Sequence, residues 1–328
     1  MSIVVNYHGQ CYDGFGAMWS AKRALETMGN PEFANAEYIA SSYGKDRTDY
    51  KDKFLVYADY CPKRKVIDEL AKNNLVLVLD HHKTAQEDLL GIDKDGNKIP
   101  GVEPLPKTDT DFNDYHTQFK QGLRGVYVLF DMERSGAGVT FDYFNTTGEK
   151  RPNMIKFVED RDTWKFKYGD SSKAFHAYLL SQPFDYKVWS EVYELAETHE
   201  GLDKIITKGK AVLEYGNQLV ANIVETAKVH EAGKVKYAFF NTTSHWAEVG
   251  EHAVEKLGVD YSIALTFDAN KDQIRGSVRG KPGRDCTKLA GSFGGGGHAG
   301  AAGFQFPISE SPLTIKDRID TYFKNGGE

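Results

Sequence analysis

With 328 residues, the chain is long enough for two hydrophobic cores and too long for most single ones. Charged residues at 27 %, hydrophobics at 40 % and aromatics at 12 % exclude a disordered chain. A net charge of −6, from 41 Lys+Arg against 47 Asp+Glu, argues against a broad basic face for gripping long duplex nucleic acid and leaves room for a local basic pocket. No apolar stretch approaches the roughly 20 residues needed to span a bilayer. The start, MSIVVNYHGQ, lacks a basic segment followed by an apolar core, so no membrane partner and a cytoplasmic location are expected. Cys11, Cys61 and Cys286 form neither a paired disulfide framework nor a closely spaced zinc pair.

Residues 2–7 predict a strand, 13–28 a helix, 37–40 and 54–58 strands, 63–72 a helix and 75–79 a strand. Repeated strand–helix–strand order predicts an α/β fold whose N-terminal sheet is mainly parallel, with helices on both faces. The polar stretch 84–125, rich in Gly, Pro, Asp and Lys, shows no sustained period and is expected to be a lid or insertion without regular structure. A strand over 126–130 follows, then a helix over 135–144 with Ser135 as its N-cap, and a short helix over 153–159 leading into Asp160-Arg161-Asp162. From 185 to 230 the spacing of Ile205, Ile206, Val212, Leu213, Leu219, Val220 and Ile223 predicts one or two long helices. The chain therefore divides into a domain over 1–184, a helical connector over 185–232 and a smaller C-terminal α/β domain over 233–328. In that last domain strands are expected over 235–240, 262–267 and 274–279, with helices over 246–257 and near 313–323.

Acids, imidazoles and one thiol gather where the first domain's elements begin or end: His8, Cys11, Asp13, Asp59, Asp80-His81-His82 and Asp160-Arg161-Asp162. Singly, each has a plain structural role. Asp13 suits a helix N-cap, Asp59 the turn before Pro62, and Asp160 and Asp162 suit capping and pairing with Arg161. In a parallel sheet, however, the carboxyl ends of the strands share one edge, so His8, Asp59 and His81 can meet there. Carboxylate with imidazole suits Mn²⁺, Mg²⁺, Fe²⁺ or Zn²⁺. Near the C-terminus, Gly295, Gly296 and Gly297 would let backbone amides approach an anion, with His298 adding a donor. A flexible linker is the alternative, but the packed-looking Ala299, Ala301, Ala302 and Phe304 argue against it. Arg275 and Arg279, four apart on a predicted strand, would face one side and suit phosphate.

These segments together resemble the DHH phosphoesterase superfamily, in its members that carry the DHH-associated C-terminal domain. The resemblance spans nearly the whole chain. It rests on His8…Asp13-Gly14, Asp59, Asp80-His81-His82, the Asp160 segment, and GGGGHAGAAG preceded by Arg275-Gly276-Ser277-Val278-Arg279. It implies two divalent cations, usually Mn²⁺, in a cleft between domains. His8 and Asp59 would hold the first ion, and Asp13, Asp59, His81 and Asp160 the second, with Asp162 the alternative to Asp160. Asp80 would orient its neighbours, and His82 would stand near the leaving oxygen. Arg275, Arg279, Gly295, Gly296, Gly297 and His298 would fix the substrate. Where the family commonly has Asp-x-Asp-Gly, this chain reads Cys11-Tyr12-Asp13-Gly14. Either Cys11 ligates as a thiolate, favouring Zn²⁺ or Fe²⁺, or it stands aside.

The expected activity is metal-dependent hydrolysis of short nucleotides: short single-stranded oligoribonucleotides, a nucleoside bisphosphate or a dinucleotide, in the manner of a nanoRNase. A nucleotide-binding sensor or sequestering protein with a degenerate metal site is the alternative, and Cys11 is the feature that favours it.

Overall fold

The computed structural model describes residues 2–91, 101–105, 112–145 and 147–327. It comprises two compact units, Met1–Leu213 and Glu214–Glu328.

The first unit holds strands β1 (Ser2–His8), β2 (Glu37–Ser41), β3 (Lys53–Ala58), β4 (Leu75–Asp80), β5 (Val102–Pro104) and β6 (Gly125–Phe130). Its helices are α1 (Tyr12–Thr27), α2 (Arg64–Ala71), α3 (Lys83–Leu90), α4 (Phe112–Lys120), α5 (Gly136–Phe144), α6 (Asn153–Asp162), α7 (Asp170–Leu180) and α8 (Tyr186–Ala196), followed by the start of α9 (His199–Glu225). Among the described residues the sheet order is β2-β1-β3-β4-β6-β5, and every pairing is parallel. The alternate residues Phe54, Val56 and Ala58 of β3 and Leu75, Leu77 and Leu79 of β4 pack on one face, while Leu55, Tyr57, Val76 and Val78 pack on the other. Burial on both faces explains why these strands read as unbroken apolar runs. A third cluster joins Trp19, Phe141, Ile155, Phe175, Trp189 and Ile205. Through it α8 and the start of α9, which the sequence assigned to a connector, pack into the core of the first unit. Ser135 caps α5 as expected, accepting a hydrogen bond from the Gly138 amide.

The stretch 84–125 departs from expectation, because α3, β5 and α4 all lie within or across it. Each helix has only two turns, too few for a clear period. Phe112, His116 and Phe119, at helical spacing, nonetheless form the buried stripe of α4. Residues 92–100 and 106–111 of that stretch lie outside the described residues.

The second unit contains the end of α9, then β7 (Lys228–Ala232), β8 (Val235–Asn241), α10 (Trp246–Leu257), β9 (Tyr261–Asp268), β10 (Gln273–Gly280), α11 (Cys286–Ser292), β11 (Gly296–His298), β12 (Ala301–Pro307) and α12 (Pro312–Lys324). The sheet is mixed, in the order β11-β12-β10-β9-β8-β7, with β8 and β9 its parallel pair. No helix among the described residues is long and apolar enough to cross a membrane.

Asp260 ties down the turn after β10. It accepts hydrogen bonds from the Lys236 amide at 2.8 Å and from Arg284 Nη2 at 2.9 Å, and Lys281 Nζ lies 2.5 Å away. Burial alone would raise this carboxyl, but those partners hold it down to about 2. A folded pKa below the unfolded one means stabilisation that is present at neutral pH and lost as pH falls from about 4 towards 2. Asp260→Ala is expected to cost about 2 kcal/mol near neutral pH. In denaturant titrations the gap to wild type should shrink at pH 2, and a pH-independent gap would show that the charge is irrelevant.

Candidate metal centre

His8 ends β1, Asp59 follows β3, and Asp80 ends β4 with His81 and His82 after it. These three strands are neighbours and parallel, so their carboxyl ends share one edge. The chain also reverses its direction of travel across the sheet between β1 and β3, since β2 was added on the other side of β1. Open α/β sheets form a crevice at such a switch point. Asp59 has φ +55°, in the left-handed region that Asp tolerates better than most residues, and its amide donates to Leu79 O at 2.9 Å.

Asp13 arrives from the first turn of α1. Its two carboxylate oxygens accept from the amides of Gly136 at 2.6 Å and Ala137 at 3.0 Å, the first residues of α5. A helix N-terminus thus anchors this carboxylate. The sequence reading missed that anchor; its signal was the small run Gly136-Ala137-Gly138 directly after the N-cap Ser135. A Cβ on Gly136 would come within 2.3 Å of the Asp59 Cβ. Only glycine lets α5 begin this close to the acids.

His81 Nε2 lies 3.2 Å from Asp59 Oδ1, 3.5 Å from Asp13 Oδ2 and 3.6 Å from Asp162 Oδ2. His8 Nδ1 lies 3.7 Å from Asp59 Oδ2. The potential ligand atoms of His8, Cys11 and Asp59 fall within 4.8 Å of one another, as do those of Asp13, His81 and Asp162. Cys11 precedes α1 without using its side chain as a cap, so its sulfur stays with His8 and Asp59.

The electrostatics are unbalanced. Burial, together with the Asp59 and Asp162 charges, pushes Asp13 well above the carboxylate range. Burial works in the same direction on Asp59, but the His8 and His81 imidazoles outweigh it and hold Asp59 down to about 2. His81 is lifted to about 9 against its burial by Asp59, Asp13 and Asp162. Burial and the Asp59 charge push the Cys11 thiol up to about 12. Both Asp59 oxygens and His81 Nε2 are buried without a hydrogen-bond partner despite their proximity. Leaving such groups unpaired is costly in a folded protein. Carboxylates and imidazoles converging with unused lone pairs form a donor set that fits divalent cations, and this cluster can hold metal.

Asp80 is fully buried, and its Oδ1 accepts from the amides of His81 at 2.7 Å and His82 at 3.3 Å. The same oxygen lies 2.7 Å from His82 Nδ1, a contact that raises the His82 pKa.

Of the two acids around Arg161, the structure brings Asp162 to His81 and turns Asp160 away. Asp160 is occupied by the amides of Lys167 at 2.7 Å and Tyr168 at 3.2 Å and by the Ser172 hydroxyl. In α6 successive side chains diverge around the helix, so two acids separated by one residue do not share a face. Cys61 is buried apart from the cluster, with its thiol on Pro62 O at 3.3 Å.

In the second unit, Arg275 and Arg279 occupy alternate positions with Ser277 on β10, as expected. Arg275 stacks over Trp246 at 4.7 Å, and Arg279 donates to Val278 O at 3.0 Å and Ser277 Oγ at 3.2 Å. The glycine-rich segment, expected to be packed and to bring backbone amides close to an anion, forms the short strand β11, in register with β12. A Cβ at Gly295 or Gly297 would meet Gly303 O at 2.1 Å or Ala301 O at 2.5 Å, so close strand approach accounts for these two glycines. Gly296 has open space around it, and the His298 side chain lies outside the described ones.

No family model matches the chain. It is 28 % identical over 319 residues to the uncharacterized protein R106 of Acanthamoeba polyphaga mimivirus, covering 92 % of this chain and 67 % of that one. Among solved structures it is similar to the DHH domain of a member of a family of ribosomal proteins, with 12 % identity, TM-score 0.58, and 98 % and 86 % of the two chains covered. It is also similar to exonuclease RecJ bound to manganese, with 14 % identity, TM-score 0.50, and 98 % and 89 % covered. RecJ from Thermus thermophilus in complex with Mn²⁺ gives 14 % identity, TM-score 0.51, and 98 % and 52 % covered. These likenesses establish the fold, and the chain folds as DHH-domain proteins do.

Proposed function

We propose that the protein is a divalent-metal-dependent phosphoesterase that hydrolyses short nucleotides: short oligoribonucleotides, a nucleoside bisphosphate or a dinucleotide. The observation that carries the proposal is the buried Asp59 carboxylate, without a hydrogen-bond partner on either oxygen and flanked by His8 and Cys11 on one side and by His81, Asp13 and Asp162 on the other. Two ions, Mn²⁺ by preference, would be held as His8–Cys11–Asp59 and Asp13–Asp59–His81–Asp162, with Asp59 shared. Cations so held supply Lewis acidity that activates water and offsets phosphoryl charge. That RecJ, of the same fold, is an exonuclease bound to manganese supports both the metal and the reaction class.

The chain's own residues would do the rest. Asp80 fixes the orientation of His82 and favours its protonated form. His82 is thereby suited to give a proton to a leaving oxygen. Arg275 and Arg279, with Gly295, Gly296, Gly297 and His298, are the proposed substrate contacts of the second unit. The net charge of −6 favours small substrates over long polymers.

A nucleotide-binding protein with a degenerate site is the second possibility, and the protonated Cys11 thiol favours it, since a thiol pushed up to about 12 ligates poorly until metal displaces its proton. One assay separates the two. Purified protein with Mn²⁺ is expected to release mononucleotides or phosphate from short RNAs, bisphosphates or dinucleotides, and chelation should stop it. Nucleotide binding that survives chelation, with no product at any metal concentration, would favour the binder.

A further inference from the structure

The loop between α6 and α7 carries a second, unassigned feature. Trp164 and Phe166 both have positive φ, +54° and +44°. Aromatic residues rarely adopt this conformation, and two so close together cost free energy that the surroundings must offset. Asp160 supplies the offset. Its backbone oxygen accepts from the amides of Lys165 at 3.2 Å and Phe166 at 3.3 Å, while its carboxylate takes those of Lys167 and Tyr168. The carboxylate that does not join the metal cluster therefore pins the strained loop.

That strain presents one side chain to solvent. Trp164 is 58 % exposed, although burying an indole is ordinarily favourable. The Arg161 guanidinium lies 4.4 Å from the Trp164 ring centre and 5.7 Å from that of Phe166, and Phe166 meets Trp164 edge-on at 5.5 Å. Arg161 has no carboxylate ion pair among the described residues, although two acids flank it in sequence. Its neighbour Asp162 is the residue beside His81. An exposed indole, backed by an arginine with no carboxylate at ion-pair distance among the described residues and lying two residues along the chain from Asp162, is what stacking on a base while holding its phosphate requires.

We propose that Trp164, with Arg161 behind it, is a stacking platform for a nucleobase of the substrate, and that Asp160 is its positioning residue. The proposal deepens the phosphoesterase assignment by making the base itself a recognition element, read by a loop that follows Asp162 in the chain, and it rests on that assignment only for the statement that the bound nucleotide is a substrate.

Calorimetric binding of adenosine 5′-monophosphate and of ribose 5-phosphate tests it on the full chain. The wild type should prefer the base-bearing ligand by about tenfold or more. In Trp164→Ala the ratio of the two affinities should fall to near one, whereas Trp164→Phe, which keeps an aromatic face, should retain most of the preference. An unchanged ratio in Trp164→Ala, no preference in the wild type, or no binding of either ligand would each overturn the platform. Wild-type hydrolysis of a base-bearing dinucleotide with Mn²⁺ separates the two ideas. Its absence, with the base preference intact, would count against the phosphoesterase and leave the platform standing.

Discussion

Asp59→Asn is expected to lower phosphoester hydrolysis by about a thousandfold or more, because on the proposed assignment loss of the shared carboxylate would weaken both halves of the cluster and remove several kcal/mol of transition-state stabilisation. Asparagine is the informative replacement. It tolerates the left-handed backbone at φ +55° and matches aspartate in size, so the loop after β3 keeps its shape and charge is what changes. Elemental analysis should find less manganese per chain, and circular dichroism should find the fold intact. Full activity in Asp59→Asn would overturn the assignment of Asp59 as the shared ligand.

Gly136→Ala should be nearly as severe, although Gly136 offers no ligand. The added methyl would sit 2.4 Å from Asp59 Oδ1 and 2.6 Å from its Cγ, both on a residue that is 1 % exposed and has no room to retreat. Moving α5 outward instead would draw the Gly136 and Ala137 amides away from Asp13. Either response displaces an acid of the cluster, and a loss of about a hundredfold in activity and metal affinity is expected. Gly291, with nothing near its Cβ position, is the control. Its alanine variant should behave as wild type, and an equally active Gly136→Ala would mean that α5 does not set the cluster's geometry.

The parallel strands of the first unit were readable because burial on both faces leaves unbroken apolar runs, as in 75–79. The strand-end acids were readable because topology, rather than contact, places them together. Elements that use small or polar residues were harder. The pairing of β11 with β12 is written in glycines and alanines, whose strand role comes from close backbone approach, so the strand left no apolar pattern to read. α3 and α4 show only two turns each amid polar residues. Asp160 and Asp162 could not be separated by composition, because the choice depends on which way each side of α6 faces, and that is fixed by tertiary packing. Trp164 drew no attention, since its backbone conformation leaves no trace in the letters of the sequence.

The order of β1, β3 and β4 has a consequence for how such a protein can vary. His8, Asp59 and His81 are carried by three adjacent rungs whose spacing, about 4.8 Å, is set by backbone hydrogen bonding and is the same in every sheet. The ruler for the donor atoms is therefore the sheet itself, and the crossovers between rungs are free of that duty. Residues 83–124, beyond the two histidines, join one strand to its neighbour, so this segment can lengthen, shorten or change composition while the donor spacing stays fixed.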